Sequence, residues 1–471
     1  MPETWAFASL KDLGAALRAG HVSSRGLTDY FLDRLERHGP QLNALVSLTR
    51  DRALLEAEEA DEELARGIDR GPLHGIPYGA KDLLATADYP TTWGAEPFRH
   101  QEFADDAHVI SKLRAAGAVL IGKLAMVELA GGWGYDQPNA ALTGPGLNAW
   151  SDERWAGGSS SGSGAAVGAG LVPFAIGTET WGSIHCPSVF NGITGLRPTY
   201  GRVGRSGAMA LSWTLDKIGP MARSAGDCWM VLEALAGADP DDEITIGAPA
   251  LGELPEVGPI RFGVLRGSIE KSAPGVAANA RAAIEVLRQF GTVTESSLPD
   301  MPWDEAATTI IACEAASAFE DFLDRGDGKH LTAPEDRSGV YHAQQVPAVD
   351  YLRALRIRAE GARQIEPLLA DFDVLVAPSY SVEAPPAVGS FDAYFDKHEA
   401  DSLSAVGNLL GLPSIAVPTG LGDAQLPTGI ELLGRWWTEA LLTRVATQFQ
   451  ERTNWHDLRP PQWDPDCAVA I

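Results

Sequence analysis

Three short segments of this sequence hold residue types whose spacing can do chemistry. The first, Gly75-Ile-Pro-Tyr-Gly-Ala-Lys81-Asp82, is a Gly/Pro turn and short strand that delivers a lysine. Lysine is scarce in the chain, eight of 37 basic residues. Amid small apolar neighbours an amine can lose its proton, because burial disfavours the charged form by up to about 3–5 pKa units. A surface lysine, or one paired with Asp82, is the plain alternative. The second segment, Gly157-Gly-Ser159-Ser-Ser-Gly-Ser-Gly164, sets four hydroxyls and four bare glycines on a turn that runs into a small-residue helix start. A flexible linker would not lead straight into an apolar strand such as LVPFAIG, and no Gly-Lys-Ser/Thr follows to make a phosphate cradle. The third, Gly177-Thr-Glu-Thr-Trp-Gly-Ser183-Ile-His-Cys-Pro-Ser, ends a strand in a glycine-punctuated turn with one serine. Such a turn presents a hydroxyl together with several backbone N–H groups aimed at one point, as an oxyanion hole requires.

The elements that must position these segments are legible as an alternation. The first 70 residues read as helical, with Leu27, Tyr30, Phe31 and Leu35 at helical spacing and a charge-laced helix ending at Gly67. Beyond the turn-rich GIDRGPLHGIPYGA, short apolar strands alternate with helices. AVLIG (118–122) follows a helical stretch, and IRFGVL (260–265) precedes a helix over 276–289. DVLVAP (373–378) follows a long helical run, and SIAVP and TGIELLG come near the end. This pattern argues an α/β layered fold with a largely buried sheet. Gly237 to Pro259, rich in proline and acid, reads as a linker or a long surface connection, and no domain boundary is evident.

Length and charge narrow the class. A chain of 471 residues, 45% apolar and 21% charged, is long enough for a sizeable core. Its net charge of −26 repels phosphate backbones and anionic lipid, so nucleic acid and membrane surfaces are poor partners. The cysteines Cys186, Cys228, Cys313 and Cys467 lie far apart, without the spacing of a disulfide framework or a zinc site. No secretory signal is read at the start and no apolar run approaches 18 residues, so a cytoplasmic protein is expected.

Taken together, the order and spacing of the three segments resemble the amidase signature family of serine hydrolases. That family carries a lysine after a Gly-Ile-Pro turn, a Gly-Gly-Ser-Ser run, and a Gly-Ser-Ile on the nucleophile loop. Here Ser159 stands 24 positions before Ser183, the family's usual separation. Leu215-Asp-Lys-Ile-Gly-Pro220, Arg223, Asn408, Gly411-Leu-Pro413, Val417-Pro418 and Pro427-Thr-Gly429 extend the match to about residues 73–433. The resemblance implies a single domain over 1–471, with a central mixed β-sheet covered by helices on both faces. Residues 1–66 would be a helical layer of it and 71–235 the catalytic region. It also implies Ser183 as nucleophile, Ser159 beside a cis peptide as proton relay, and neutral Lys81 as general base. The backbone N–H groups around Thr180, Trp181 and Gly182 would form the oxyanion hole. No metal or organic cofactor is implied. These roles agree with elementary chemistry, since a serine hydroxyl needs a positioned base and a desolvated lysine can serve where histidine does not. The expected reaction is hydrolysis of a small-molecule amide, anilide or carbamate. Glutamine hydrolysis as the A subunit of a tRNA-dependent amidotransferase complex is the second expectation, and the oligomeric state is left open, a homodimer included.

Two departures bear on specificity. Many relatives read Asp-x-Gly-Gly-Ser-Ile-Arg where this chain has Glu179-Thr-Trp181-Gly-Ser183-Ile-His185. A tryptophan keeps its backbone N–H, so the chemistry survives, but Trp181, together with Trp133, would favour flat or apolar substrate groups by stacking. Arg358 falls where glutamine-using relatives place a carboxylate-binding arginine; a structurally paired arginine is the plain alternative. Two rival motifs are weak. Gly158-Ser-Ser160-Ser-Gly162 matches the G-x-S-x-G elbow, but NAWSDERWAG before it reads as polar and turn-like rather than as the required strand. Gly117 to Lys123 imitates a P-loop, with Leu124 in place of the required hydroxyl residue.

Overall fold

The apolar runs that alternate with helical segments pair into one mixed sheet. The computed structural model describes residues 3–133, 135–395 and 402–464. Its strands are β1 (Leu45–Leu48), β2 (Pro77–Lys81), β3 (Val119–Leu124), β4 (Leu147–Asn148), β5 (Ser151–Trp155) and β6 (Phe174–Glu179). They continue as β7 (Thr194–Arg197), β8 (Lys217–Ala222), β9 (Ile260–Leu265), β10 (Gly291–Ser296), β11 (Val374–Pro378), β12 (Ser414–Leu421) and β13 (Pro427–Leu433). Eleven of them form a sheet in the order β1-β3-β2-β6-β8-β7-β12-β13-β11-β9-β10, and β4 pairs with β5 apart from it. The β2–β3, β2–β6, β9–β11 and β9–β10 pairs are parallel and the rest antiparallel.

Successive side chains of a strand point to opposite faces. Every residue of β2, β3, β6, β8, β11 and β13 is buried, so helices cover both faces of the sheet. The edge strand β10 leaves most of its residues half-buried or exposed. Among the described residues no helix is long and apolar enough to cross a membrane.

The first 66 residues supply helices Leu10–Arg18, Ser24–His38 and Arg50–Ala65. Ser9 and Ser23 cap the first two by accepting the N–H of Asp12 and Gly26, contacts worth about 1 kcal/mol each. Leu27, Phe31 and Leu35 face the core, whereas Tyr30 is only half-buried. The all-helical reading of this stretch needs one correction. Leu45–Leu48 is the edge strand β1, paired antiparallel with β3. Four residues are too few to carry a period of their own, and the partner strand some seventy residues on decides their conformation.

A second correction concerns NAWSDERWAG, which forms the ribbon of β4 and β5 rather than a turn. Its strand is fastened from afar, the Trp155 N–H donating to the Pro385 carbonyl at 2.9 Å. The stretch from Gly237 to Pro259 is a largely exposed connection carrying one 3-10 turn, Glu243–Thr245. Cys186, Cys228 and Cys313 are free thiols; Cys467 lies outside the described residues.

Candidate active site

Strand β2 ends on Lys81, between β3 and β6 in a fully buried part of the sheet. The side chain is fully buried, and its Nζ lies 2.8 Å from Ser159 Oγ and 2.9 Å from Thr178 Oγ1. Adjacent Asp82 is engaged elsewhere, on Lys123 Nζ at 3.0 Å and on the Thr92 N–H at 2.9 Å. Lys123, the lysine of the P-loop look-alike, is thus the ion-paired one. Lys81 has no carboxylate within ion-pair distance among the described residues. Burial lowers its pKa to about 7, against the upward pull of the more distant Asp216 and Glu179.

The glycine and serine run folds as a tight bend into the helix Ser161–Gly168. The Gly158–Ser159 peptide is cis, and the Ser159 carbonyl accepts the Val127 N–H at 3.0 Å. Glycine is required at 162, where a Cβ would stand 2.5 Å from the Ala125 nitrogen and the Ala44 oxygen. Ser160 faces β6: its hydroxyl donates to the Thr178 carbonyl at 3.2 Å and accepts the Thr178 N–H at 3.3 Å. That pairing occupies the hydroxyl which the elbow motif would need as nucleophile. The Ser160 N–H in turn donates to the Ser183 carbonyl at 3.3 Å, which joins the two serine loops.

Strand β6 passes from Thr178 and Glu179 into the loop Thr180–Ser183. Glu179 is fully buried and accepts four donors: the N–H groups of Ile184 (2.8 Å) and His185 (3.0 Å), Arg197 (2.7 Å) and Asn408 (3.0 Å). Burial alone would raise its pKa, but the His185 ring and the Arg197 guanidinium overcome this and hold it well below the usual carboxylate range. Thr180 Oγ1 donates to Asp216 at 2.5 Å, and Asp216 also accepts the Leu211 and Ser212 N–H groups. Gly182 has φ +77°, and a Cβ there would sit 2.6 Å from Tyr380 Oη. Held this way, the N–H groups of Thr180, Trp181, Gly182 and Ser183 have no protein acceptor among the described residues.

Ser183, 8% exposed, opens onto a cavity of about 580 Å³ whose walls include Trp133, Tyr135, Thr180, Trp181 and Ile311. Trp133 packs on Phe319, and its indole N–H is buried without an acceptor among the described residues. A smaller chamber of about 240 Å³ adjoins through Thr180 and Leu211 and is lined by Thr178, Asp216 and Lys217. The expected site residues therefore separate into three groups. Trp133, Thr180, Trp181 and Ser183 line the Ser183 cavity, while Lys81 and Ser159 lie behind it, tied to each other, with Lys81 also tied to Thr178 of the smaller chamber. Arg358 does not line the cavity: it lies on the helix Ala348–Asp371 with its guanidinium 5.9 Å from the Tyr200 ring centre.

His185, which stands where many relatives have arginine, lies under the loop, 3.7 Å from both Glu179 and Glu431. The fixed positive charge comes instead from Arg197 on β7, which bridges the same two carboxylates. Thr178, Glu179, Arg197, Asp216 and Asn408 had no assigned role in the sequence. Their one local signal is a polar side chain at the end of an apolar strand or within a buried helix, which must find a partner. Among the described residues no group of three or more His, Cys, Asp or Glu side chains is placed to hold a metal ion.

Comparison with known proteins identifies the family. The family model for amidases matches residues 26–443. The chain is 35% identical to the A subunit of the glutamyl-tRNA(Gln) amidotransferase from Aromatoleum aromaticum, over 96% of this chain and 99% of the relative. It is 36% identical to the protein of the same name from Chloroflexus aggregans, over 94% and 96%. The crystal structure of the peptide amidase from Stenotrophomonas maltophilia superposes with a TM-score of 0.85 at 32% identity, over 96% of this chain and 98% of that one. A fold, a buried lysine and two serine loops in this arrangement, matched by that span of similarity, make the chain a member of the amidase signature family.

Proposed function

We propose that the protein hydrolyses the C–N bond of a small, partly apolar or aromatic amide, anilide or carbamate through an acyl-enzyme on Ser183. The observation that carries this reading is Lys81, fully buried, with no carboxylate within ion-pair distance among the described residues, and 2.8 Å from the Ser159 hydroxyl. With a pKa near 7 about half of the lysine is neutral at neutral pH, where a general base works best. Ser183 attacks the substrate carbonyl while its proton passes to Ser159, and the Ser159 proton passes to Lys81. The oxyanion meets the N–H groups of the Thr180–Ser183 loop. The proton returns through Ser159 to the departing amine, and water then releases the acid from Ser183. Trp133 and Trp181 offer flat faces for an apolar part of the substrate. Arg358 has no part in this reading because it rests on Tyr200 and does not line the cavity. The reaction needs no nucleic acid or lipid surface, and we place it in the cytoplasm.

A second reading, glutamine hydrolysis within an amidotransferase complex, is favoured by the names of the relatives. Trp181 beside the nucleophile and the net charge of −26 weigh against it. The test is the purified chain, alone, on aliphatic amides, anilides, carbamates and glutamine. Turnover of amides other than glutamine supports the first reading; turnover of glutamine alone, or only with partner subunits, establishes the second. Inertness on the whole panel and toward a fluorophosphonate probe overturns both and leaves a binding protein on a hydrolase fold.

One substitution examines the oxyanion loop. Gly182→Ala forces a side chain into a left-handed backbone position and against Tyr380. The turn must shift and misdirect its N–H groups. A fall in kcat of about 10²–10³, with little change in KM, is expected for the loss of one such donor. Steady-state kinetics showing kcat within threefold of the parent would remove the loop from the mechanism.

A further inference from the structure

One wall of the Ser183 cavity is the short helix Asp336–Ala343, which contributes Gly339, His342 and Ala343. Another is the loop carrying Trp133 and Tyr135, a few residues after Glu128. Carboxyl groups join the two walls. Glu128, 1% exposed, accepts the N–H groups of Thr332 at 2.7 Å and Ala333 at 2.8 Å, and so holds the chain that leads into the helix. Asp336, 2% exposed, lies against Glu128, and its Oδ1 is buried without a donor among the described residues. A second carboxyl pair, Asp136 with Glu335, bridges the same two segments.

No lysine, arginine or histidine pairs with these four carboxyls among the described residues. Arg337, on the same helix, is exposed and donates to the Leu331 and Thr332 carbonyls. The adjoining turn Asp327–His330 carries Lys329 and His330, both exposed, and Asp327, which pairs with Arg325. On the packed helix Trp303–Ala318, Glu314 is engaged by Ser212, Thr214 and Tyr351. Asp336 therefore faces Glu128, Glu335, Asp136 and the hydroxyl of Tyr135, with no cation among the described residues to neutralise it.

We propose that Asp336 and Glu128 are positioning residues for the substrate cavity. They share one proton, Asp336 donating its O–H to the Glu128 carboxylate, and so fasten the helix wall to the Trp133 loop only while Asp336 is protonated. Two buried carboxylates in contact cannot both ionise cheaply. Burial and the neighbouring Glu128 push the Asp336 carboxyl up, to about 8. The sign follows from that direction. In an open arrangement Asp336 would titrate as an ordinary carboxyl, so the closed wall binds the extra proton. The closed wall's advantage is complete at low pH, shrinks as the pH rises above the ordinary carboxyl range, and is gone once the pH passes about 8.

The inference rests on the reading that this cavity receives the substrate, and its test separates the two. With one controlling proton, the KM of the parent relative to that of Asp336→Asn should rise by up to roughly tenfold per unit between about pH 5 and pH 8 and level off above. In Asp336→Asn the amide donates at every pH, so KM should stay level over that range. Hydrogen exchange by mass spectrometry gives a readout that needs no substrate. Protection over residues 332–343, corrected for intrinsic rates, should fall between about pH 5 and pH 8 in the parent and hold in Asp336→Asn. A level parent KM, or the same rise and the same loss of protection in Asp336→Asn, overturns the inference. If no amide is turned over, exchange alone decides on the shared proton, and the missing turnover counts only against the amidase reading.

Discussion

Ser183→Ala is expected to abolish the covalent intermediate and to lower kcat by a factor on the order of 10⁴ to 10⁶, the range found when a serine nucleophile is removed. Intact-mass measurement after a fluorophosphonate probe is the direct check. The parent gains one adduct, and Ser183→Ala gains none. The comparison with Ser160→Ala gives this result its force, because Ser160 is the serine that the elbow motif would choose. Its hydroxyl both donates to and accepts from the backbone of Thr178. Removing it leaves two buried backbone groups short of a partner, a cost of about 1–3 kcal/mol in stability. Ser160→Ala should therefore melt earlier yet still take the adduct. An adduct on Ser183→Ala, or its absence from a folded Ser160→Ala, would move the nucleophile to the other loop.

What the sequence disclosed and what it concealed divide along the distance between partners. Ile260–Leu265 and Val374–Pro378 are apolar runs bounded by turns, and they are strands at nearly the positions their composition indicates. The serine run and the Gly-Ser183 turn are also local, since each writes its own bend with glycines. Leu45–Leu48 and Ser151–Trp155 are strands only because β3 and the chain near Pro385 lie beside them. The site behaves alike. Lys81 and Asp82 are neighbours in sequence and look like a candidate ion pair, but successive residues along extended chain face opposite ways. Lys81 turns to the serines and Asp82 to Lys123. The Arg197–Glu179 pair and the Asn408 amide beneath the loop come from three separate segments, so no spacing announces them. Arg358 lies on a helix that its own periodicity marks, yet only the packing of that helix sets it on Tyr200.

Lys81→Met should separate activity from stability, with opposite signs. Loss of the base lowers kcat by about 10²–10⁴ for proton transfer alone. In the parent, kcat/KM should fall tenfold per pH unit below about 7, where Lys81 takes up the proton that disables it. Stability runs the other way. The unfolded chain keeps this lysine protonated up to its ordinary 10.5, whereas the folded chain releases the proton above about 7. Burial of the amine therefore destabilises the parent at neutral pH, by an amount on the order of 3–5 kcal/mol that shrinks as the pH climbs toward 10.5. Methionine fills the same volume without that penalty but strands the hydroxyls of Ser159 and Thr178, which returns about 1–3 kcal/mol of it. Lys81→Met should thus melt at or above the parent at pH 7, and the difference should narrow by pH 10. Lys123→Met is the contrast, because it leaves Asp82 buried without its cation and should lose about 3–5 kcal/mol. Two buried lysines on neighbouring strands would then respond oppositely to one substitution, the mark of an amine kept neutral for chemistry beside one kept charged for structure. If both variants are destabilised alike, or Lys81→Met keeps activity within tenfold of the parent, Lys81 is a structural cation and the proposed base must be sought elsewhere.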